Sequence, residues 1–102
     1  MIARTWKGTA RPDRANAYVN HLEEKTFPQL AAISGFRAGH VLRHQTGAIV
    51  EFLVITWWDS REAIARFAGD DDPEAAVVPP AAQALLGSWD DRAVHWDIAL
   101  TR

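Results

Sequence analysis

His95, Arg4 and five tryptophans are the side chains of this sequence best suited to chemistry. His95 sits inside an alternating run, Ala93 to Leu100, in which Val94, Trp96, Ile98 and Leu100 share one face and His95 and Asp97 the other. An imidazole titrates close to working pH, so a mid-strand histidine could accept a proton from a substrate. A hydrogen-bonded histidine at a sheet surface or subunit interface is the plainer use, and one histidine with no partner in view leaves both open. Arg4 shares a strand face with Trp6 and could hold a substrate anion or phenolate; an ion pair with Asp97 or Glu51 across the sheet accounts for it equally well. Of Trp6, Trp57, Trp58, Trp89 and Trp96, the adjacent Trp57 and Trp58 must point to opposite faces of a strand and cannot line one pocket. Packing alone would use such rings, yet an indole N–H can also donate to a ligand. Trp6, Trp58, His40 and Phe67 are the candidate substrate-binding residues, with His95 and Arg4 as the candidate catalytic pair.

Other chemistries find little support. His40 and His44 have the look of a metal pair, but four residues along a strand span about 13 Å, too far to share an ion. His21 stands among Glu23, Glu24 and Lys25 and is expected to face solvent. Asp70, Asp71, Asp72 and Glu74 lack the spacing and glycine of a calcium loop and read as a solvated loop with a helix cap. Ser60 and Ser88 have no nucleophile-elbow context. The absence of cysteine removes thiolate chemistry and disulfides. With 11 basic against 13 acidic residues and a formal charge of −2, no basic stripe exists for nucleic acid. No membrane span or signal-peptide pattern is present, so a cytoplasmic location is expected. The 102 residues, 48% hydrophobic and 24% charged, give room for one domain, 1–102, around one core.

Around these residues the pattern predicts six elements. Ile2 to Gly8 reads as a strand. A helix starts at Pro12-Asp13 with the stripe Ala15, Tyr18, Val19, Leu22 and Thr26, is kinked or broken at Pro28, and stops at Ser34-Gly35. Phe36 to His44 is a second strand that sets Phe36, Ala38, His40, Leu42 and His44 against Arg37, Gly39, Val41 and Arg43. The turn Gln45-Thr46-Gly47 leads into a third strand, Val50 to Trp58, making a hairpin. Arginines on the second strand suit a sheet edge. Asp59 and Glu62 resemble a capping box for a helix that buries Ala63, Ile64, Phe67 and Ala68 and ends at Gly69. Asp72 then caps a helical turn at Pro73, a short helical piece follows over Ala81 to Leu86, Gly87 to Asp91 is a connection, and Ala93 to Leu100 is the last strand. The composition leaves open whether 70–80 forms a fixed wall or a mobile lid. The order strand, helix, strand, strand, helix, strand is that of the ferredoxin-like α+β fold, a four-stranded antiparallel sheet with both helices on one face. Since only Glu51 and Thr56 interrupt the apolar third strand, its second face needs cover that the chain does not supply, and a homodimer packed sheet to sheet is expected.

The segments Ile-Ala-Arg-Thr-Trp, Gly-Phe-Arg-Ala-Gly-His-Val-Leu-Arg, Phe-Leu-Val-Ile-Thr-Trp-Trp-Asp-Ser-Arg-Glu-Ala-Ile and Val-His-Trp-Asp-Ile together resemble the antibiotic-biosynthesis-monooxygenase family of dimeric α+β barrels, across nearly the whole chain. The resemblance implies a dimer with one pocket per subunit between sheet and helices. Some members of that family oxygenate phenolic polyketides without a cofactor, others degrade haem, and many have no known activity. The haem-degrading branch uses an asparagine on the first strand, a tryptophan on the second helix and an axial histidine ten residues later. Here Thr5 or its neighbour, Phe67 and Val77 stand in those places, so haem degradation is not expected. The implied function is oxygenation of a small phenolic or quinol-like molecule without a cofactor. The alternative is a ligand-binding or degenerate member without activity, whose pocket its own side chains would fill.

Overall fold

The computed structural model describes all 102 residues. One antiparallel sheet carries every helix on a single face, in ferredoxin-like topology. Strand β1 (Ile2–Ala10) is followed by α1 (Pro12–His21), a π-helical segment (Leu22–Thr26) and α2 (Phe27–Ala31). Next come β2 (Phe36–Thr46), β3 (Ile49–Trp58), α3 (Arg61–Ala68), α4 (Pro80–Gln83), β4 (Ser88–Trp89) and β5 (Val94–Asp97). The sheet order is β2-β3-β1, with β4 and β5 both on the free side of β1. The hairpin of β2 and β3 and the edge position of β2 are as the sequence predicts.

Pairing fixes the faces. In β3 the even-numbered Val50, Phe52, Thr56 and Trp58 are buried under the helices, while Ile49 is exposed on the other side. Trp57 and Trp58 therefore separate as predicted. Gly39 pairs with Thr56, and a Cβ added to it would lie 3.1 Å from the Phe27 ring, so its bare backbone is what lets α2 rest on β2. His40, the next residue, consequently points to the open face. The register of β2 shifts between Phe36 and Ala38, which turns Phe36 inward against Trp58, with ring centroids 5.3 Å apart, rather than outward with Ala38 and His40.

Two apolar clusters fill the space under the helices. Tyr18, Leu22, Val50, Phe52, Ala82 and Leu86 belong to one, and Ile2, Leu30, Trp58, Ala63 and Ile64 to the other. Tyr18 packs on Phe52 at 5.0 Å, and Trp58 stacks on Phe67 at 6.1 Å.

Several local expectations are corrected. Pro28 does not break the first helix; the turn before it widens into the π segment, where the Phe27 N–H reaches the Leu22 carbonyl. Ser60, not Asp59, caps α3, its hydroxyl accepting from the Ala63 N–H at 3.2 Å, while Asp59 pairs with Arg37. No helix begins at Pro73, because Asp72 instead takes a two-pronged hydrogen bond from Arg92, at 2.8 and 2.9 Å. The last strand, expected over Ala93 to Leu100, spans only Val94–Asp97, and a two-residue strand, Ser88–Trp89, forms where a connection was expected. Trp89 and Ser88 pair with Gly8 and Thr9, the Asp90 N–H still reaches the Lys7 carbonyl at 3.0 Å, Asp91 to Ala93 leaves the ladder, and Val94–Asp97 resumes it. His21 is not turned to solvent either: its Nε2 is sealed without a partner.

Candidate functional site

Three cross-strand pairs of β1 and β3 form the platform beneath the helices: Arg4 with Thr56, Trp6 with Val54, and Gly8 with Phe52. A cavity of about 70 Å³ lies on it, with Arg4, Trp6, Val54 and Thr56 below and Tyr18, Leu22, Thr26, Phe27 and Leu30 from the helical run above. Phe67, Val77, Val78, Pro79 and Ala82 complete its wall. Several waters would fit such a space. It is smaller than the roughly 300 Å³ at which ligand pockets usually begin, so a ring-sized guest needs the wall to give.

Arg4 is the only charged side chain on this wall, and it is 6% exposed. Its Nη1 donates to the Pro73 carbonyl at 2.5 Å and to His95 Nε2 at 2.8 Å, and its Nη2 donates to the Ala75 carbonyl at 2.9 Å. The guanidinium carbon lies 5.8 Å from the centre of the Phe67 ring. Every protein acceptor of this arginine is neutral. Neither ion pair considered for it forms, since Asp97 pairs with Arg61 at 3.1 Å and Glu51 with His44 at 2.9 Å. Burial lowers its pKa to about 10, partly offset by the field of Glu74, which leaves it charged at neutral pH.

His95 pairs with Arg4 across β1 and β5 and so occupies the helix-side face, but it is not part of the cavity wall. An arginine can only donate, so Nε2 of His95 must accept and its proton sits on Nδ1. Burial first, then the Arg4 charge, holds its pKa below the ordinary imidazole value. The nitrogen that would take a substrate proton is already engaged, which makes His95 a support for Arg4 in this arrangement rather than a free base.

Trp6 and Phe67, two of the candidate substrate-binding residues, line the cavity. The indole of Trp6 lies over Gly8, where an added Cβ would come within 2.9 Å of the ring, and its N–H donates to the Asp90 carbonyl at 2.7 Å. Trp58 is fully buried one layer further in and does not line the cavity; its indole N–H donates to Thr56 Oγ1 at 2.9 Å. His40 is on the opposite face and has no access to this space. Thr5 also faces away, its Oγ1 accepting from the Trp96 indole at 2.7 Å, whereas Val77 does reach the wall. No imidazole lines the cavity, so its residues do not fit an axially ligated haem.

Thr56, Tyr18 and Thr26 were not foreseen as site residues, and Val77–Pro79 only as part of a possible wall or lid. Thr56 could have been found, as one of two polar residues in an otherwise apolar strand, and Tyr18 by the hydroxyl it carries into a buried stripe. The segment 70–80 is an anchored wall. Beyond the Arg4 bonds, the Ala76 N–H reaches the Asp91 carbonyl at 2.9 Å and the Ala93 N–H reaches the Glu74 carbonyl at 2.7 Å.

Among solved structures the chain is similar to a putative antibiotic biosynthesis monooxygenase from Bacillus cereus, at a TM-score of 0.69 and 16% identity over 99% of this chain and 95% of that one. It is equally similar, at 0.69 and 16% identity, to a monooxygenase from the ActVA-Orf6 gene of Streptomyces coelicolor in complex with nanaomycin D, over 99% and 89% of the two chains. The haem degrader MhuD from Mycobacterium tuberculosis, with two haems in its active site, aligns at 0.62 and 16% identity over 100% and 99%. At such identities these likenesses show the fold alone. A comparison with curated proteins finds no match. No helix is long and apolar enough to cross a membrane. The sequence profile described as antibiotic biosynthesis monooxygenase matches residues 1–78, more than half of the sequence and all of the sheet platform under the cavity, and by that match the chain belongs to this family.

Proposed function

We propose that the protein is a cofactor-independent monooxygenase-like enzyme acting on a small phenol or quinol, bound as its anion against Arg4. The observation that carries this reading is a buried arginine, charged at neutral pH, that fronts an apolar cavity and has only neutral protein partners. A buried charge with no carboxylate bonded to it, only the field of Glu74, is costly, and a phenolate would supply a direct partner. Three of the five guanidinium N–H groups are engaged, which leaves two for a ligand. Trp6 and Phe67 would flank the ring, and Trp58 would act through Thr56, whose oxygen already accepts from the indole and whose proton is therefore free to donate. His95 would position Arg4.

The reaction needs no group that the chain lacks. A phenolate transfers one electron to O2, and the phenoxyl radical and superoxide combine at the para carbon. Protonation of the peroxide and loss of the para C–H proton expel water and leave a quinone carbonyl. Phenol and O2 thus give para-quinone and water, with all four electrons coming from the substrate. Arg4 contributes by favouring the anion and the charge that develops on oxygen in a water-poor site.

Oxygen uptake with a panel of naphthols and phenols that keep a free para C–H tests the reading: wild type should exceed the spontaneous rate, with quinone formed one-to-one with oxygen consumed and no peroxide released, and Arg4→Gln should lose at least tenfold. Uptake no faster than the spontaneous rate for every compound would sink it. The small cavity volume favours the second reading, a binding protein without turnover, whose signature is saturable phenolate binding with no uptake. For assembly, we propose one ferredoxin-like domain over 1–102 in a cytoplasmic homodimer joined through the open sheet face. Leu42, Val94 and Trp96 lie there 49%, 47% and 55% exposed, and light scattering that gave a monomer mass at micromolar concentration would refute it.

A further inference from the structure

Tyr18 is 2% exposed and lines the cavity, yet no protein group hydrogen-bonds its hydroxyl. Burial is the sole cause of the upward displacement of its pKa, with no hydrogen bond contributing. A buried hydroxyl normally has a partner, because leaving one unsatisfied costs as much as the hydrogen bond gains. The oxygen is not sealed off either, since the one sealed and unpartnered side-chain polar atom in the chain is Nε2 of His21. The hydroxyl is thus left facing the cavity.

Its place relative to Arg4 follows from the register. Tyr18 packs on Phe52, which pairs with Gly8, while Arg4 pairs with Thr56. The two pairs are four residues apart on each strand, or about 13 Å along the sheet. Between them the floor is Trp6 and Val54, and no charged group intervenes. The cavity is therefore an apolar slot with unspent hydrogen-bond donors at both ends: two guanidinium N–H groups and the Thr56 hydroxyl at one, the Tyr18 hydroxyl at the other.

From this we infer that the site selects a flat aromatic ligand with oxygen functions at opposite ends, an anionic oxygen for Arg4 and Thr56 and an acceptor such as a carbonyl or hydroxyl for Tyr18, so that Tyr18 is a specificity-determining residue. The inference rests on the reading of Arg4 as an anion holder. Fused-ring phenolates with a second oxygen on the far ring meet the description and keep the para C–H that oxygenation replaces, whereas simple phenolates satisfy one end only. Their rejection is expected to be real but modest, because each lacks a single neutral hydrogen bond.

Two phenolates that do not consume oxygen make the test: 4-nitrophenolate, with an acceptor opposite its anionic oxygen, and 4-chlorophenolate, without one. Binding is read by tryptophan quenching at a pH well below the Arg4 pKa of about 10, with each affinity referred to the ionised fraction of the phenol. Tyr18→Phe is expected to weaken 4-nitrophenolate about five- to tenfold and to leave 4-chlorophenolate unchanged. Equal weakening of both, or of neither, overturns the role of Tyr18. The underlying reading is checked separately on wild type alone: 4-nitrophenol should bind tighter above its own pKa than below it. Tighter binding of the neutral form overturns the anion reading even if Tyr18→Phe proves selective. The substitution removes only an unpartnered oxygen, so folding should persist, and a thermal melt of each variant verifies it.

Discussion

On the helical side of β3, Phe52 and Trp58 are completely buried, and Val50 is 1% exposed. On the other side of the same sheet Ile49 stays 53% exposed, and Leu42 on β2 and Trp96 on β5 remain 49% and 55% exposed. Both faces are apolar, but only one has cover. The helical side combines the core with a cavity and a buried guanidinium; the other shows an apolar surface with no structural partner in the chain. Alternation along one strand thus divides labour by parity: even positions of β3 stabilise the subunit and floor the site, and odd positions are available for association.

The sharpest way to break this comparison is one substitution on each side. Trp58→Ala removes the indole that stacks on Phe67 and supports Thr56, and should cost about 3 to 5 kcal/mol in chemical denaturation. Ile55→Glu, two residues from Trp57 on the open face, should instead leave the helical core intact and abolish dimers. Light scattering at micromolar concentration would read the mass fall to that of one chain, and a retained dimer would mean that association uses another surface. The smallest effect concerns the seam between site and sheet edge. His95 has a folded pKa below its ordinary 6.5, so the unfolded chain binds the proton more readily. Its stabilising contribution is complete above about pH 6.5 and is lost as pH falls through the lower folded value. His95→Gln keeps an acceptor for Arg4 and removes the titration, and should flatten the acid side of a melting-temperature profile by a small amount; a profile unchanged from wild type would place the acid sensitivity elsewhere.

What could be read in advance followed local periodicity. The opposite placement of Trp57 and Trp58, the hairpin, the edge position of β2 and the stripe of the first helix all depend on neighbours a few residues apart. The carbonyls of Pro73 and Ala75 that receive Arg4 lie 69 and 71 positions away in sequence, and a backbone acceptor leaves no mark on residue type. The alternative of a carboxylate partner for Arg4 fails for that reason. The break between β4 and β5 has the same origin. Asp91 and Ala93 give their backbone groups to Ala76 and Glu74 instead of to β1, a competition that an alternating pattern from Ala93 to Leu100 does not reveal. His40 was set apart from the cavity by the bulged, Gly39-centred packing of β2 under Phe27, and Ser60 rather than Asp59 capped α3 by a shift of one residue.

The consecutive tryptophans of β3 also give the molecule two optical reporters separated by one peptide bond. Trp58 is dark to solvent and stacks beside the cavity wall, whereas Trp57 looks out from the uncovered face. Emission isolated from one should follow occupancy of the site, and emission from the other should follow the meeting of two subunits. On the proposed function and assembly, a single strand would let ligand capture and subunit association be timed independently in the same sample.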